Sequence, residues 1–181
     1  MKDSTRNSIR FITLSGLFIA LGIVLPMALH AIPDGGKIFL PMFLPVLLGA
    51  LFLPWQYALA VGVITPLLSG LLTGMPPAAP LPMNFMLAAE LGVAAVTLSL
   101  LKKIKWIDKK RYLIVLALIP TLLIGKVASG SVLMIATQFF GIKGPSMWTY
   151  VLGALVAGLP GMAIQLVLLP VLYSLVKRRH N

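Results

Sequence analysis

Cysteine is absent from the chain, and only four of its 181 residues carry a carboxylate side chain. The first absence excludes disulfides, thiolate metal sites and cysteine nucleophiles. The second helps to hold charged residues at 10% of the sequence against 59% hydrophobic residues, with a mean hydropathy of +1.01. A soluble domain of this length could not cover its surface with so few charges. Chemical motifs are missing as well. Gly125-Lys126 lacks the earlier glycine and the following hydroxyl of a phosphate-binding loop. No H-E-x-x-H, no G-x-S-x-G and no intramembrane aspartate pair occurs, and no histidine falls in an apolar run. An enzyme, a metal site and a resident cofactor are therefore not expected.

What the chain does contain is long apolar sequence. Phe11 to Leu29 carries no charge and spans about 28 Å as a helix, enough to cross a bilayer. Ile38 to Leu53 is shorter and contains Pro41 and Pro45. A third helix is expected from about Tyr57 to Leu72, and a fourth from Met83 to Leu101. Between them, Gly74 to Pro82 holds four prolines and must be an extended link. Tyr112 to Phe140 and Trp148 to Val176 each reach about 43 Å, so both must tilt, break or project beyond a hydrocarbon core of about 30 Å. Trp148 and Tyr150 suit anchors at a membrane interface.

The net charge of +11 is informative through its placement. Of fifteen basic residues, all but Lys37, Lys126 and Lys143 fall in three clusters. Lys2, Arg6 and Arg10 precede the first apolar run. Lys102, Lys103, Lys105, Lys109, Lys110 and Arg111 follow the fourth, and Lys177, Arg178 and Arg179 follow the last. Flanking clusters without interleaved aromatic residues mark topology, and a nucleic-acid partner is not expected. Six crossings put all three clusters on one side, whereas five or seven would split them. The expectation is an all-α polytopic protein of the cell membrane. Residues 1–181 would form one domain of six transmembrane helices in the lipid bilayer, with both termini cytoplasmic.

Two ionisable residues lie deep in these helices, Glu90 in the fourth and Lys126 in the fifth, about 16 Å and about 21 Å from the cytoplasmic boundary. A charge at that depth costs several kcal/mol unless it is paired or faces a wet cavity. An ion pair locking two helices and a pair of cavity-facing groups both fit. Lys126, Ser129, Gly130, Leu133 and Thr137 share one helical face, which lipid would penalise. Asn84, Gln138 and Gln165 add further polar groups in the last three helices. Interhelical hydrogen bonding accounts for any one of them; together they resemble the few polar groups of a ligand pocket. Small residues recur four apart at Gly16 and Ala20 on the first helix, and at Gly153, Ala157 and Gly161 on the last. That spacing permits close helix contact, within the bundle or with another membrane subunit.

The segment Leu14-Ser15-Gly16-Leu17-Phe18-Ile19-Ala20-Leu21-Gly22 resembles a family signature. The family is that of the substrate-binding S components of energy-coupling factor (ECF) transporters, which import vitamins in bacteria and archaea. Their signature is usually alanine-x-x-x-alanine, and Gly16 stands at the first alanine. Pro41 to Gly49 and Leu71 to Pro77 are similar to family members too, and size, basic charge and helix count agree along nearly the whole chain. The resemblance implies that Gly16 and Ala20 contact a shared membrane-embedded coupling protein, which works with two cytoplasmic ATPases. It also implies a pocket for a vitamin-like small molecule in the outer half, with Asn84, Glu90, Lys126, Ser129, Thr137, Gln138 and Gln165 in its region. The loop holding Met75, Pro76 and Pro77 would be a lid. A self-sufficient secondary transporter and a non-transporting structural subunit remain the alternatives.

Overall fold

The computed structural model describes residues 2–29, 40–77, 79, 81–104 and 113–178. Among the described residues all regular structure is helical: α1 (Lys2–Leu29), α2 (Phe43–Phe52), α3 (Trp55–Thr73), α4 (Met83–Leu101), α5 (Ile114–Phe139) and α6 (Met147–Arg178). Lys37, the basic residues between 105 and 111, and Arg179 lie outside the described residues. Five of the six helices are long and apolar enough to cross a membrane, and the chain is a polytopic membrane protein.

Two boundaries differ from the sequence expectation by more than two residues, each for a local reason. The first helix begins at Lys2 rather than Phe11, because loss of hydropathy marks the end of the lipid-compatible stretch and not the end of the helix. The second is shorter than expected. Leu40 has a left-handed backbone, with φ +48°, and Pro41-Met42 forms a turn. The helix therefore starts only at Phe43, with Pro45 in its first turn, where the missing N–H has no intrahelical partner to lose. Its ten residues span about 15 Å, half of a ~30 Å hydrocarbon core.

This short helix is apolar on every side and packs against α1, α3, α4 and α6, as a helix without a polar face should. Phe43, Val46, Leu47, Ala50 and Leu51 are buried in an apolar cluster that draws residues from all six helices. The consecutive pairs α3–α4, α4–α5 and α5–α6 also pack together. Leu17, Leu71, Val156 and Val167 point outward. Lipid is as apolar as the core, so close packing rather than hydropathy sets which face turns inward. Gly62 shows how tight the α3–α4 contact is: a Cβ there would lie 2.6 Å from the backbone oxygen of Leu91. Gly62→Ala is expected to push the helices apart and lower stability by about 1–3 kcal/mol in detergent unfolding. Gly16→Ala, with nothing within 4 Å of the new methyl, should show no such loss.

One end of the bundle gathers the start of α1, the α2–α3 turn and the last turns of α4 and α6. The rings of Phe11 and Tyr57 lie 5.4 Å apart, as do those of Phe52 and Tyr173. Lys102 Nζ donates to the carbonyls of Ala50 and Leu53, both at 2.8 Å, and Ser99 Oγ donates to Leu53 at 3.0 Å. These donors satisfy carbonyls that α2 leaves open at its C-terminus, where a cation is also favoured by the helix dipole. Lys102 thus does more than mark topology. Lys102→Met should lower the thermal stability of the purified protein by about 1–3 kcal/mol.

Candidate functional site

Glu90 on α4 and Lys126 on α5 meet inside the bundle. Lys126 Nζ lies 2.5 Å from Glu90 Oε1, with both side chains almost fully buried. Sequence makes the approach possible through Gly125, because a Cβ at that position would sit 3.0 Å from the Glu90 backbone oxygen and 3.3 Å from Ala94 Cβ. Phe43, at the start of α2, places its ring centroid 5.4 Å from Lys126 Nζ. A desolvated ammonium over an aromatic face gains about 2 kcal/mol, so α2 supplies a second stabilising partner for the lysine.

Around this pair lies a polar cluster drawn from three helices and one turn. Ser129 is fully buried, and its hydroxyl donates to the Lys126 carbonyl at 3.0 Å. Tyr150, in the first turn of α6, is half-buried on the side of Ser129 and Glu90. Gln165 is buried on α6 and donates from Nε2 to the Leu40 carbonyl at 3.5 Å. The same carbonyl accepts the Phe43 N–H at 3.0 Å. Leu40 therefore links Gln165 to Phe43, and Phe43 in turn touches Lys126. Its left-handed backbone is unusual for a non-glycine residue. Strain of this kind persists only where surrounding contacts over-determine it, and here Leu40 packs against α6, with Cδ1 only 3.2 Å from where a Gly158 Cβ would be.

Of the expected site residues, Glu90, Lys126 and Ser129 come together, and Gln165 joins them through Leu40 and Phe43. The others do not. Asn84 uses its side-chain oxygen to accept the Phe85 N–H at 2.9 Å and lies against Gly70 of α3. Thr137 bonds its own helix at Met134 and sits beneath Gly144, about 16 Å along α5 from Lys126. Gln138 is exposed. Three participants were not singled out as site residues by the sequence: Phe43, Leu40 and Tyr150. Tyr150 carried the signature of an interface anchor, which near a helix end is the same as that of an inward-facing tyrosine. Thr121 is fully buried with no hydrogen-bond partner for Oγ1, and nothing in the sequence separated it from other threonines.

The expected lid is fastened to α3. Ser69 Oγ donates to the Met75 carbonyl at 2.7 Å, and the Met75 N–H donates to Thr73 Oγ1 at 3.2 Å. Gly74, with φ +71°, supplies the left-handed residue that ends the helix. Met75 and Pro77 are exposed, Pro76 is half-buried, and residues 78 and 80 lie outside the described residues. Gly16 and Ala20 face outward from α1, and no atom lies within 4 Å of where a Gly16 Cβ would be. On α6 the small residues divide: Gly158 and Gly161 are buried, while Gly153 and Ala157 face outward. An open cleft of about 640 Å³, lined by Asn7, Ser8, Phe11, Pro54, Gln56 and Tyr57, lies at the end of the bundle that holds Lys102. It contains none of the buried polar cluster, whose composition is the better guide to a ligand site.

Among curated proteins and among solved structures, nothing matches the chain. The family model described as ECF transporter, substrate-specific component, matches residues 10–173. That span takes in at least part of every helix and all members of the polar cluster, and the family is one of transporter components rather than of enzymes. The chain belongs to the family of substrate-specific components of ECF transporters.

Proposed function

We propose that this chain captures a vitamin or related micronutrient from outside the cell and delivers it through a shared membrane-embedded coupling protein driven by two cytoplasmic ATPases. The reading includes one six-helix domain in a bacterial cytoplasmic membrane, with both termini inside and no catalysis by the chain itself. The observation that carries it is the buried polar cluster around Glu90 and Lys126 in a member of a substrate-binding family. Buried charges in a membrane protein are expensive and mark substrate pathways. A pocket with a few convergent polar groups on an apolar lining is the usual form of a small-molecule site.

In this reading Glu90, Lys126, Ser129 and Gln165 meet the ligand, and Asn84, Thr137 and Gln138 line its entry. Met75, Pro76 and Pro77 form the cover, hinging about the anchored turn at Gly74. Gly16 and Ala20 dock the coupling protein. Affinity purification from membranes, followed by mass spectrometry of bound proteins and small molecules, tests the assignment. A retained micronutrient, together with one integral membrane protein and two ATPases, is the expected result.

The short Glu90–Lys126 contact favours a second reading, in which the pair is a lock between α4 and α5 and never meets a ligand. Under that reading, exchanging both residues for neutral ones leaves ligand affinity unchanged.

A further inference from the structure

The buried cluster has an uneven supply of hydrogen-bonding groups. Gln165 Oε1 is buried without a hydrogen-bond partner. The Gln165 amide has a defined orientation, because its nitrogen must face the Leu40 carbonyl, so the open atom is an acceptor. Glu90 Oε1, in contrast, is held by Lys126 Nζ at 2.5 Å, so the charges of the pair are balanced. The nearest cation is already engaged, between the Glu90 carboxylate and the Phe43 ring. Thr121 Oγ1 is open too, but a hydroxyl both donates and accepts and does not discriminate.

Given the capture function proposed above, on which this inference rests, we propose that the ligand is a neutral or cationic molecule rich in N–H or O–H donors, and not a carboxylate or phosphate. The cluster is charge-neutral, and its unmet capacity is for donors. A donor group on the ligand would satisfy Gln165 Oε1 without breaking the ion pair. An anion would instead have to draw Lys126 away and leave Glu90 buried and unpaired, a penalty of roughly a hundredfold or more in affinity. The Phe43 ring adds flat apolar surface beside the pair, suited to a heterocycle bearing amino, amide or hydroxyl substituents.

The test uses the full-length protein purified in detergent. Any small molecule retained by the protein is identified by mass spectrometry. Binding is then measured by calorimetry for matched pairs that differ in one group: panthenol against pantothenate, pyridoxine against 4-pyridoxate, and nicotinamide against nicotinate. The expected retained molecule has no carboxylate or phosphate, and any scaffold that binds does so about tenfold or more tighter as the alcohol or amide. Gln165→Met should weaken that binding by about tenfold. A retained anion, or tighter binding of the carboxylate partners, overturns the donor-rich class while leaving the capture function standing. An absence of any retained molecule, combined with no binding across all six probes, overturns both.

Discussion

Replacing Lys126 alone, as Lys126→Met, is expected to destabilise the protein by about 3–5 kcal/mol, and adding Glu90→Gln is expected to restore most of that loss. The reason lies in what each change leaves behind. Glu90 is 1% exposed and Lys126 5%, so removing the ammonium strands a carboxylate in an apolar interior with no second cation beside it among the described residues. The neutral double variant removes both charges, and buried pairs replaced by apolar groups of similar volume are often no less stable than the originals. The reciprocal single change, Glu90→Gln, should fall between the two. Phe43 still faces the lysine ring-on, and an amide oxygen can still accept one N–H. Chemical or thermal unfolding in detergent, run as a double-mutant cycle, measures all four states. A Lys126→Met variant as stable as the native protein would show that the pair is not closed in the folded state.

The second large effect concerns α1. Gly16→Leu and Ala20→Leu should leave folding and ligand binding intact while weakening assembly with the coupling protein by roughly ten- to a hundredfold. Both positions face outward, and the space above Gly16 is empty. A leucine there meets lipid in the isolated subunit and should be tolerated. In the assembled transporter it would hold two helices apart, because small residues at this spacing let backbones approach closely. Co-purification of the tagged variants with the coupling protein, alongside uptake of labelled substrate, reads the effect. Unchanged assembly and uptake in both variants would remove α1 from the docking surface. Stability serves as the internal control, and it separates Gly16 from Gly62 on α3 and from Gly125 and Gly130 on α5, where an added methyl meets backbone or packed side chain at 3.0 Å or less.

The sequence was most legible where composition alone decides. Helical spans follow from apolar length, and α4 was found with its observed ends because Pro82 and the basic loop bound it on both sides. Burial of Glu90, Lys126, Ser129 and Gln165 was also legible, since lipid penalises each of them and only the interior offers relief. What could not be read was which interior neighbours they would meet. Phe43 lies more than eighty residues from Lys126 and resembles every other aromatic residue in an apolar run. Its contact depends on the truncated start of α2, which in turn depends on the left-handed backbone at Leu40. Asn84 and Thr137 satisfied the same polarity criterion as Gln165 but found partners within their own turns. Short side chains near helix ends have that option, whereas a glutamine in mid-helix must reach across to another element. Outward faces were illegible for the opposite reason: with lipid outside and apolar residues inside, no period distinguishes Val156 from Val151, although one is exposed and the other buried.

Native mass spectrometry of the wild-type protein and of the Glu90→Gln, Lys126→Met double variant, both purified from cells grown in rich medium, tests most directly whether the buried cluster binds substrate. Wild-type protein is expected to carry a retained small molecule, and the folded double variant to have lost it. Equal retention of the same molecule by both, or wild-type protein that is bare under every growth condition, would contradict the assignment of this cluster as the ligand site.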